Sequence, residues 1–268
     1  MKRFALLALL TLIASPALAQ EPGAERMPQG VSERGMVLDR GVLRGDFAPR
    51  DFGLLFGGIG NPDMPGFRVG RYNERTFLTL GLGAAMGVVD NLEVGAMLLP
   101  IYLAPNGDFG DIEAYGRYRF LEGDVELGAQ VTVALPTHTD FGIGLGVPAL
   151  FHLGQLRIDT GLELELIFSD PTVVNLEIPA GLSVDIGDGF FAGGRTGISL
   201  PNLDYFAMPL HGFVGYTLIS GRAPFIDLVA TFGWPEFIRS AGSEFNNDKV
   251  LIENFELIFG ARFFFSVM

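Results

Sequence analysis

The chain has 268 residues, a formal net charge of −13 at pH 7, no cysteine and a mean hydropathy of +0.35. The lack of cysteine excludes disulfides and thiol chemistry, and the acidity argues against nucleic acid or an anionic surface as a partner. The hydropathy is high for a soluble protein, yet after residue 19 there is no apolar run long enough for a membrane helix. The alternating strands of a membrane β-barrel would explain both observations.

The N-terminus has the pattern of a secretory signal peptide. Met1-Lys2-Arg3 is a short positive segment, residues 4–14 are apolar but too few to span a bilayer, and Ala17-Leu18-Ala19 is an A-x-A cleavage site. We expect residues 1–19 to be removed on export. No cysteine follows the site, so lipoprotein processing is excluded. Residues 20–46 begin with a polar stretch containing Pro and Gly, and we predict a flexible periplasmic leader or a plug there.

Residues 47–268 are predicted to form an all-β, closed antiparallel transmembrane barrel of about twelve strands. The first strand must come from residues 36–57, with Phe52–Phe56 as a plausible place although its alternation is weak, and 58–75 is predicted to be a loop. Eleven further strands show clearer period-2 alternation. Their predicted bounds are 77–88, 92–102, 111–120, 125–135, 142–153, 156–168, 174–186, 190–200, 209–218, 225–232 and 250–265.

The connections between these strands alternate in length, as in outer-membrane barrels with short periplasmic turns and longer external loops. A closed barrel also leaves no sheet edge unpaired in lipid. A secreted β-sandwich, the alternative for any single strand, does not predict this alternation. Short turns are predicted at 90–91, 122–124, 154–155, 187–189 and 219–222, and longer loops at 58–75, 103–110, 136–141, 169–173, 201–208 and 233–249.

The last strand is the most informative stretch. From residue 255 its odd positions are apolar and rich in Phe, whereas its even positions include Glu256 and Arg262. It is longer than a typical soluble strand and ends almost at the C-terminus. Bacterial outer-membrane barrels close on such an aromatic strand, so we expect its apolar face to meet lipid.

The polar faces of the strands predict a charged barrel interior in which acids outnumber arginines. Two uses remain open: the charges pair and fill the barrel, or they line a narrow, hydrated, cation-preferring pathway. A barrel of this size permits a pore but does not require one. The candidate lumen-lining residues are Asp111, Glu113, Arg117, Arg119, Glu126, Arg157, Asp159, Glu163, Glu165, Glu177, Asp185, Arg195, Asp227, Glu256 and Arg262, with Glu93 on the same predicted face.

Gly142, Gly144 and Gly146 share the inward face of one predicted strand. They would leave room for a neighbouring side chain or a ligand, although relief of curvature strain is the simpler reason. No helix or Lys-Ser pair follows, so this is not a nucleotide-binding loop.

Catalytic signals are weak. No G-x-S-x-G motif occurs, and a rim or lumen hydrolase would need Ser199 and His211 within hydrogen-bond reach. His138 and Asp140 could ligate a metal, but two ligands are common by chance. We expect no enzymatic activity and no cofactor.

Residues 110–121, Gly-Asp-Ile-Glu-Ala-Tyr-Gly-Arg-Tyr-Arg-Phe-Leu, precede a strand that ends Leu135-Pro136-Thr137. This pair of strands resembles a family of Gram-negative outer-membrane barrels, the phenol-degradation meta-pathway transporter-like proteins, over about residues 75–265. The chain departs from many barrels by ending Phe265-Ser-Val-Met268 rather than on an aromatic residue. The resemblance implies passive uptake of small solutes, aromatic or hydrophobic ones among them, and identifies no residues for that task.

The sequence therefore predicts an exported barrel in the outer membrane of a Gram-negative bacterium. Passive transport of small solutes or cations is the favoured function. A structural or surface-interaction barrel with a sealed lumen is the alternative, followed by a lipid hydrolase. The expected partners are membrane lipid, the outer-membrane assembly machinery and small solutes, and nucleic acid is not expected. The sequence does not indicate an oligomeric state.

Overall fold

The computed structural model describes residues 27–47, 66–72, 75–97, 101–104, 107–137, 140–221, 223–240 and 255–267. Sixteen strands form one sheet, and neighbouring strands pair antiparallel. Two short 3-10 helices, Val31–Glu33 and Pro201–Leu203, accompany the sheet. In the part of the chain that is described, no helix is long and apolar enough to cross a membrane.

The strands, numbered in chain order, are β1 Val42–Phe47, β2 Gly66–Tyr72, β3 Arg75–Gly81, β4 Gly83–Val89, β5 Leu92–Met97, β6 Ile101–Ala104, β7 Asp108–Phe109, β8 Ile112–Leu121, β9 Val125–Leu135, β10 Gly142–Leu153, β11 Leu156–Ile167, β12 Val173–Gly187, β13 Phe190–Leu200, β14 Phe206–Ser220, β15 Ala223–Ser240 and β16 Phe255–Ser266.

The sheet closes because β16 pairs with both β1 and β2. Residues 261–266 of β16 pair with β1, and residues 255–259 pair with β2. β1 and β2 thus share one position in the wall, as do β3 and β4, β5 and β6, and β7 and β8. The wall has twelve positions, and the predicted closed antiparallel barrel is confirmed.

The first hairpin differs from the prediction. The stretch 58–75, expected to be a loop, contains β2, which pairs antiparallel with β3. β1 begins at Val42, ahead of the boundary expected at residue 47, and the strand expected near Phe52–Phe56 lies outside the described residues. Arg44 and Asp46 occupy the inward positions of β1, so its alternation is charged rather than apolar and is hard to recognise.

Two late strands are longer than predicted. β15 continues to Ser240 through half of the loop expected at 233–249, and β14 begins at Phe206, inside the loop expected at 201–208. Proline residues led to both errors, because proline in a sequence favours the prediction of a loop. The register of β14 on β15 shifts between Met208 and Leu210, so Pro209, which has no N–H to donate, lies at an irregularity in the ladder.

One end of the barrel carries tight connections at 90–91, 122–124, 154–155, 188–189 and 221–222, and we call it the turn end. The chain leaves β16 at this end, where the Val267 amide donates to the Gly41 carbonyl. The opposite end is the loop end. At the turn end Gly154 has a φ of 67°, in the left-handed region that a residue without Cβ adopts readily.

The burial pattern is the reverse of that in a soluble protein. Val147 and Leu162 pair on the outer face and are 51% and 47% exposed, whereas their inward neighbour Glu163 is 3% exposed. Asp227 and Arg262, also inward, are 0% and 1% exposed. Charge is buried inside the wall and apolar surface lies outside, as a lipid-facing barrel requires.

Substitution of the outer face tests whether it meets lipid. We expect Val147→Arg, at mid-strand, to lower the free energy of unfolding by about 2–4 kcal/mol in bilayers. Leu153→Arg, on the same face of β10 but at its turn end, should cost about 0–1 kcal/mol because the charge reaches the interface. Urea unfolding in lipid vesicles measures both. Two equally small effects would mean that the outer face is in water.

Candidate functional site

Residues 27–41 lie inside the barrel at its turn end, and we call them the plug. Their apolar side chains pack on opposite sides of the wall, which means that the segment crosses the lumen. The contacts form three clusters: Met27 and Leu38 with Val42, Ala85, Tyr115 and Phe264; Val31 with Phe191 and Phe213; and Met36 and Val37 with Leu150.

Wall carboxylates accept hydrogen bonds from the plug backbone. The amides of Val31 and Ser32 donate to the two carboxylate oxygens of Asp185, each at 2.9 Å. The Met36 amide donates to Glu126 at 2.8 Å. The Leu38 amide donates to Glu93 at 2.9 Å. These contacts replace the sheet ladder that an irregular segment lacks.

Basic side chains of the wall satisfy the plug carbonyls in turn. Arg157 donates from Nη1 to the carbonyl of Arg34 at 3.0 Å, and Arg117 donates from Nη1 to that of Met36 at 3.1 Å. A ring nitrogen of His152 lies 2.7 Å from the Ser32 carbonyl. Charged or titratable side chains of the wall therefore bond to both the amides and the carbonyls of the plug backbone.

Two wall glycines allow the plug to approach closely. A Cβ on Gly87 of β4 would lie 2.1 Å from the Asp39 carbonyl oxygen. A Cβ on Gly128 of β9 would lie 2.7 Å from the sulfur of Met36. A larger residue at position 87 would meet the plug backbone and displace it, whereas one at position 128 would require the Met36 side chain and the neighbouring wall to shift.

A line of ion pairs connects the plug to the seam where the first and last strands meet. Arg262 of β16 lies 3.2 Å from Asp46 of β1 and 3.6 Å from Asp227 of β15. Asp227 also binds both terminal nitrogens of the plug residue Arg34 and accepts from Thr217. The line runs through Arg34, Asp227, Arg262, Asp46, Arg44 and Glu93.

The two halves of the lumen differ in accessibility. Glu93 and Asp227, at the level of the plug, are 0% exposed. Glu165, Asn175 and Glu177, nearer the loop end, remain partly exposed although they face the interior. A cavity of about 250 Å³ lies between the plug and the wall. The plug therefore occupies the turn end and leaves part of the loop-end wall accessible to water.

The candidate lumen residues fall into groups by their contacts. Arg117, Glu126, Arg157, Asp185 and Asp227 contact the plug directly. The others lie elsewhere on the inner wall. Four of these carboxylates accept hydrogen bonds from wall residues: Asp159 from Arg157, Asp111 from Thr137, Glu165 from Asn175 and Glu177 from Ser199. The remaining candidates are Arg119, which donates to Asn91; Arg262, which lies near Asp46 and Asp227; Glu256, which pairs with His211; Arg195, which lies opposite His211; and Glu113 and Glu163, which are buried near Arg117 and Glu177.

Sequence analysis missed Arg34, Arg44 and Asp46 as site residues. A local signal existed for two of them. Arg44 donates to Asp46 across one intervening residue, just as Arg157 donates to Asp159. The repeated Arg-x-Asp spacing on one strand face could have identified β1. No comparable local signal marks Arg34.

The hydrolase alternative is not supported by the geometry. Ser199 lies opposite Ala207 and donates to Glu177 at 3.1 Å, whereas His211 lies opposite Arg195 and bonds to Glu256 at 2.6 Å. Four residues along a strand separate the two side chains by about 13 Å. Each is held by its own carboxylate, so the structure does not bring them together.

No group of three or more His, Asp or Glu side chains suited to a metal ion occurs among the described residues. The suggested pair of His138 and Asp140 cannot be assessed as a site, since His138 lies outside the described residues.

No protein-family model and no curated protein matches the chain. The crystal structure of an outer-membrane channel from Pseudomonas putida F1 matches with a TM-score of 0.50 at 13% identity, over 92% of this chain and 100% of that one. At this identity the likeness concerns the fold alone. A porin refined at 1.8 Å (TM-score 0.38, 10% identity, 70% of this chain and 62% of that one) and a loop-deletion mutant of OmpT from Vibrio cholerae (0.37, 10%, 84% and 99%) are too distant to carry an argument.

Removing one anchor should loosen the plug locally. We expect Asp185→Ala to speed hydrogen exchange at the Val31 and Ser32 amides by about ten- to a hundredfold, because each loses its acceptor. Asp124→Ala, an exposed turn-end substitution of the same kind, is the control. Exchange measured by mass spectrometry tests this, and unchanged protection in Asp185→Ala would contradict the anchoring role.

Breaking the seam network should destabilise the whole barrel. We expect Asp46→Ala to cost about 3–5 kcal/mol, since it leaves Arg44 and Arg262 buried without a shared carboxylate. Glu122→Ala removes an ion pair whose carboxylate is 66% exposed and should cost about 0–1 kcal/mol. Urea unfolding followed by gel mobility compares the two, and equal midpoints would rule out a structural role for Asp46.

Proposed function

We propose that the protein is a channel of the bacterial outer membrane that passes small solutes passively and is closed at its turn end by the plug. Export follows from the predicted signal peptide, and insertion requires the outer-membrane assembly machinery. The turn end faces the periplasm in this proposal, since short periplasmic turns are general among such barrels. The protein carries out no chemistry of its own.

The way in which the plug is held carries this proposal. Asp185, Glu126 and Glu93 bind its amides and Arg157 and Arg117 bind its carbonyls, so residues 31–38 are attached by side chains rather than as a strand of the wall. Residues 40–41, which lead into β1, bond to the backbone of the wall. Such a segment can leave the lumen without opening the sheet. The likeness in fold to an outer-membrane channel is consistent with this use.

The charge of the inner wall favours polar and cationic solutes. Carboxylates outnumber guanidiniums on the inner face, and the excess lies toward the loop end, at Glu163, Glu165 and Glu177. An acidic passage raises the local concentration of cations. The aromatic or hydrophobic solutes implied by the family resemblance find less support in such a wall.

A sealed structural barrel is the second candidate. The density of bonds to the plug and the complete burial of Glu93 and Asp227 favour it. The two functions differ in one respect, which is whether the plug opens while the barrel stays folded.

Bilayer recordings separate the two. We expect refolded residues 20–268 to give small or infrequent current steps and the double variant Arg34→Ala/Asp185→Ala to give larger or more frequent ones, because both substitutions remove plug contacts and leave the strands unchanged. Under a KCl gradient the reversal potential should indicate cation preference, which Glu163→Gln/Glu165→Gln should reduce. Heat-modifiable gel mobility controls for folding. Folded protein that is silent in both forms would overturn the channel proposal in favour of the sealed barrel.

A further inference from the structure

A cluster of carboxylates on β11 and β12 carries an excess of negative charge, and Arg117, whose charge acts on Glu163, donates its hydrogen bonds to Gln130 and the plug instead. Glu163 lies directly opposite Glu177, and Glu165, on the same face of β11, lies opposite Asn175. Directly opposed residues have Cβ atoms about 4.5–5.5 Å apart, so like charges at these positions repel. Within the described part of the chain, no basic side chain forms an ion pair with any of the three carboxylates. Three of the carboxylates around the plug, by contrast, form ion pairs with arginines: Glu93, Glu126 and Asp227.

Two members of this cluster are held in place by neutral donors. Asn175 donates from Nδ2 to Glu165 at 2.6 Å, and Ser199 donates from Oγ to Glu177 at 3.1 Å. Both contacts orient a carboxylate without neutralising it. The remaining oxygens of Glu165 and Glu177 are free to meet a ligand, and both residues are partly exposed to the interior.

Glu163 supplies an independent sign of a missing ligand. The residue is 3% exposed, and its Oε1 is buried without a hydrogen-bond partner. Buried acceptors are almost always satisfied, and a carboxylate oxygen is the most costly acceptor to leave unsatisfied. Glu163 lies opposite Glu177 and on the same strand face as Glu165, so its buried carboxylate belongs to the cluster.

The neighbouring strand offers no side chain that could compete for this space. Gly146 of β10 lies opposite Glu163, and Gly144 lies opposite Glu165. On their other side these glycines face Gln130 and Thr132 of β9. The glycine strip therefore separates the acidic cluster from neutral hydrogen-bonding groups and presents only backbone to the lumen.

We propose that Glu163, Glu165 and Glu177 bind the primary ammonium group of an organic cation whose body lies along the glycine strip of β10. An ammonium group has three donors without a fixed plane, which suits carboxylates contributed by two strands. A metal ion is a poorer match, because no metal-holding group of side chains occurs among the described residues. This inference deepens the proposed function and rests on it in one respect: the site acts on a transported solute only if the plug opens, whereas binding itself needs access from the loop end alone.

The test is equilibrium binding to the refolded chain in detergent, measured by calorimetry with 1,6-diaminohexane as the probe. Hexane-1,6-diol and adipate have the same chain length without the positive charge. We expect the diamine alone to bind, and Glu163→Gln or Glu177→Gln to weaken it about tenfold through loss of a charge-assisted hydrogen bond. Glu122→Gln removes the same charge at an exposed turn-end site and should leave the affinity unchanged.

Equal binding of diamine and diol, or equal weakening by Glu163→Gln and Glu122→Gln, would overturn the inference. A proton shared between carboxylates would then explain how Glu163 and Glu177 lie directly opposite each other. Bilayer conductance keeps the two proposals apart. Current steps without diamine binding would overturn the site and leave the channel. Selective binding without current steps in any variant would support the site and overturn the channel.

Discussion

The structure depends on the hydrogen bonds that the plug backbone makes to side chains inside the closed barrel wall. A segment that enters a barrel without joining its sheet must find a partner for each buried amide and carbonyl. Here the partners are charged side chains that point inward from strands around the ring, with Asp185, Glu126 and Glu93 on the amides and Arg157 and Arg117 on the carbonyls. Without the plug Asp185 would lose the two amides that donate to it, whereas Glu93, Glu126 and Arg157 would keep ion-pair partners in the wall.

The contacts of the plug extend to the closure of the barrel. Arg34 of the plug and Arg262 of the last strand share Asp227, and Arg262 and Arg44 share Asp46 of the first strand. Asp227 and Asp46 therefore each form ion pairs with two guanidinium groups. Seating of the plug is thereby coupled electrostatically to the pairing of β16 with β1. The acidic cluster on β11 and β12 lies outside this line of ion pairs, and the ligand that we propose for it would neutralise part of its charge.

The sequence predicted most of the wall and little of what fills it. Alternation is local, so strands such as β10 and β11 could be placed within a residue or two, and their charged faces could be listed. β1 lies within the region 36–57 that had to supply a strand, but its position there was not recognised because its inward residues are charged. The ends of β14 and β15 were misplaced because Pro209 and Pro235 favour the prediction of loops. The plug could not be placed, since Val31 and its acceptor Asp185 are 154 positions apart and nothing local joins them. The missing partner of Glu163 likewise became visible only through the register of β11 on β12.

The plug is continuous with the first strand: Gly41 is followed directly by Val42, and both belong to the seam. Once released, the segment cannot diffuse away, and it rebinds as a tethered ligand at an effective concentration fixed by the length of its own chain. Opening is then a first-order equilibrium within a single molecule, independent of the number of copies in the membrane. In the proposed channel the fraction of open barrels depends on a few side-chain bonds, so single substitutions in the wall would adjust permeability and leave the sheet unchanged.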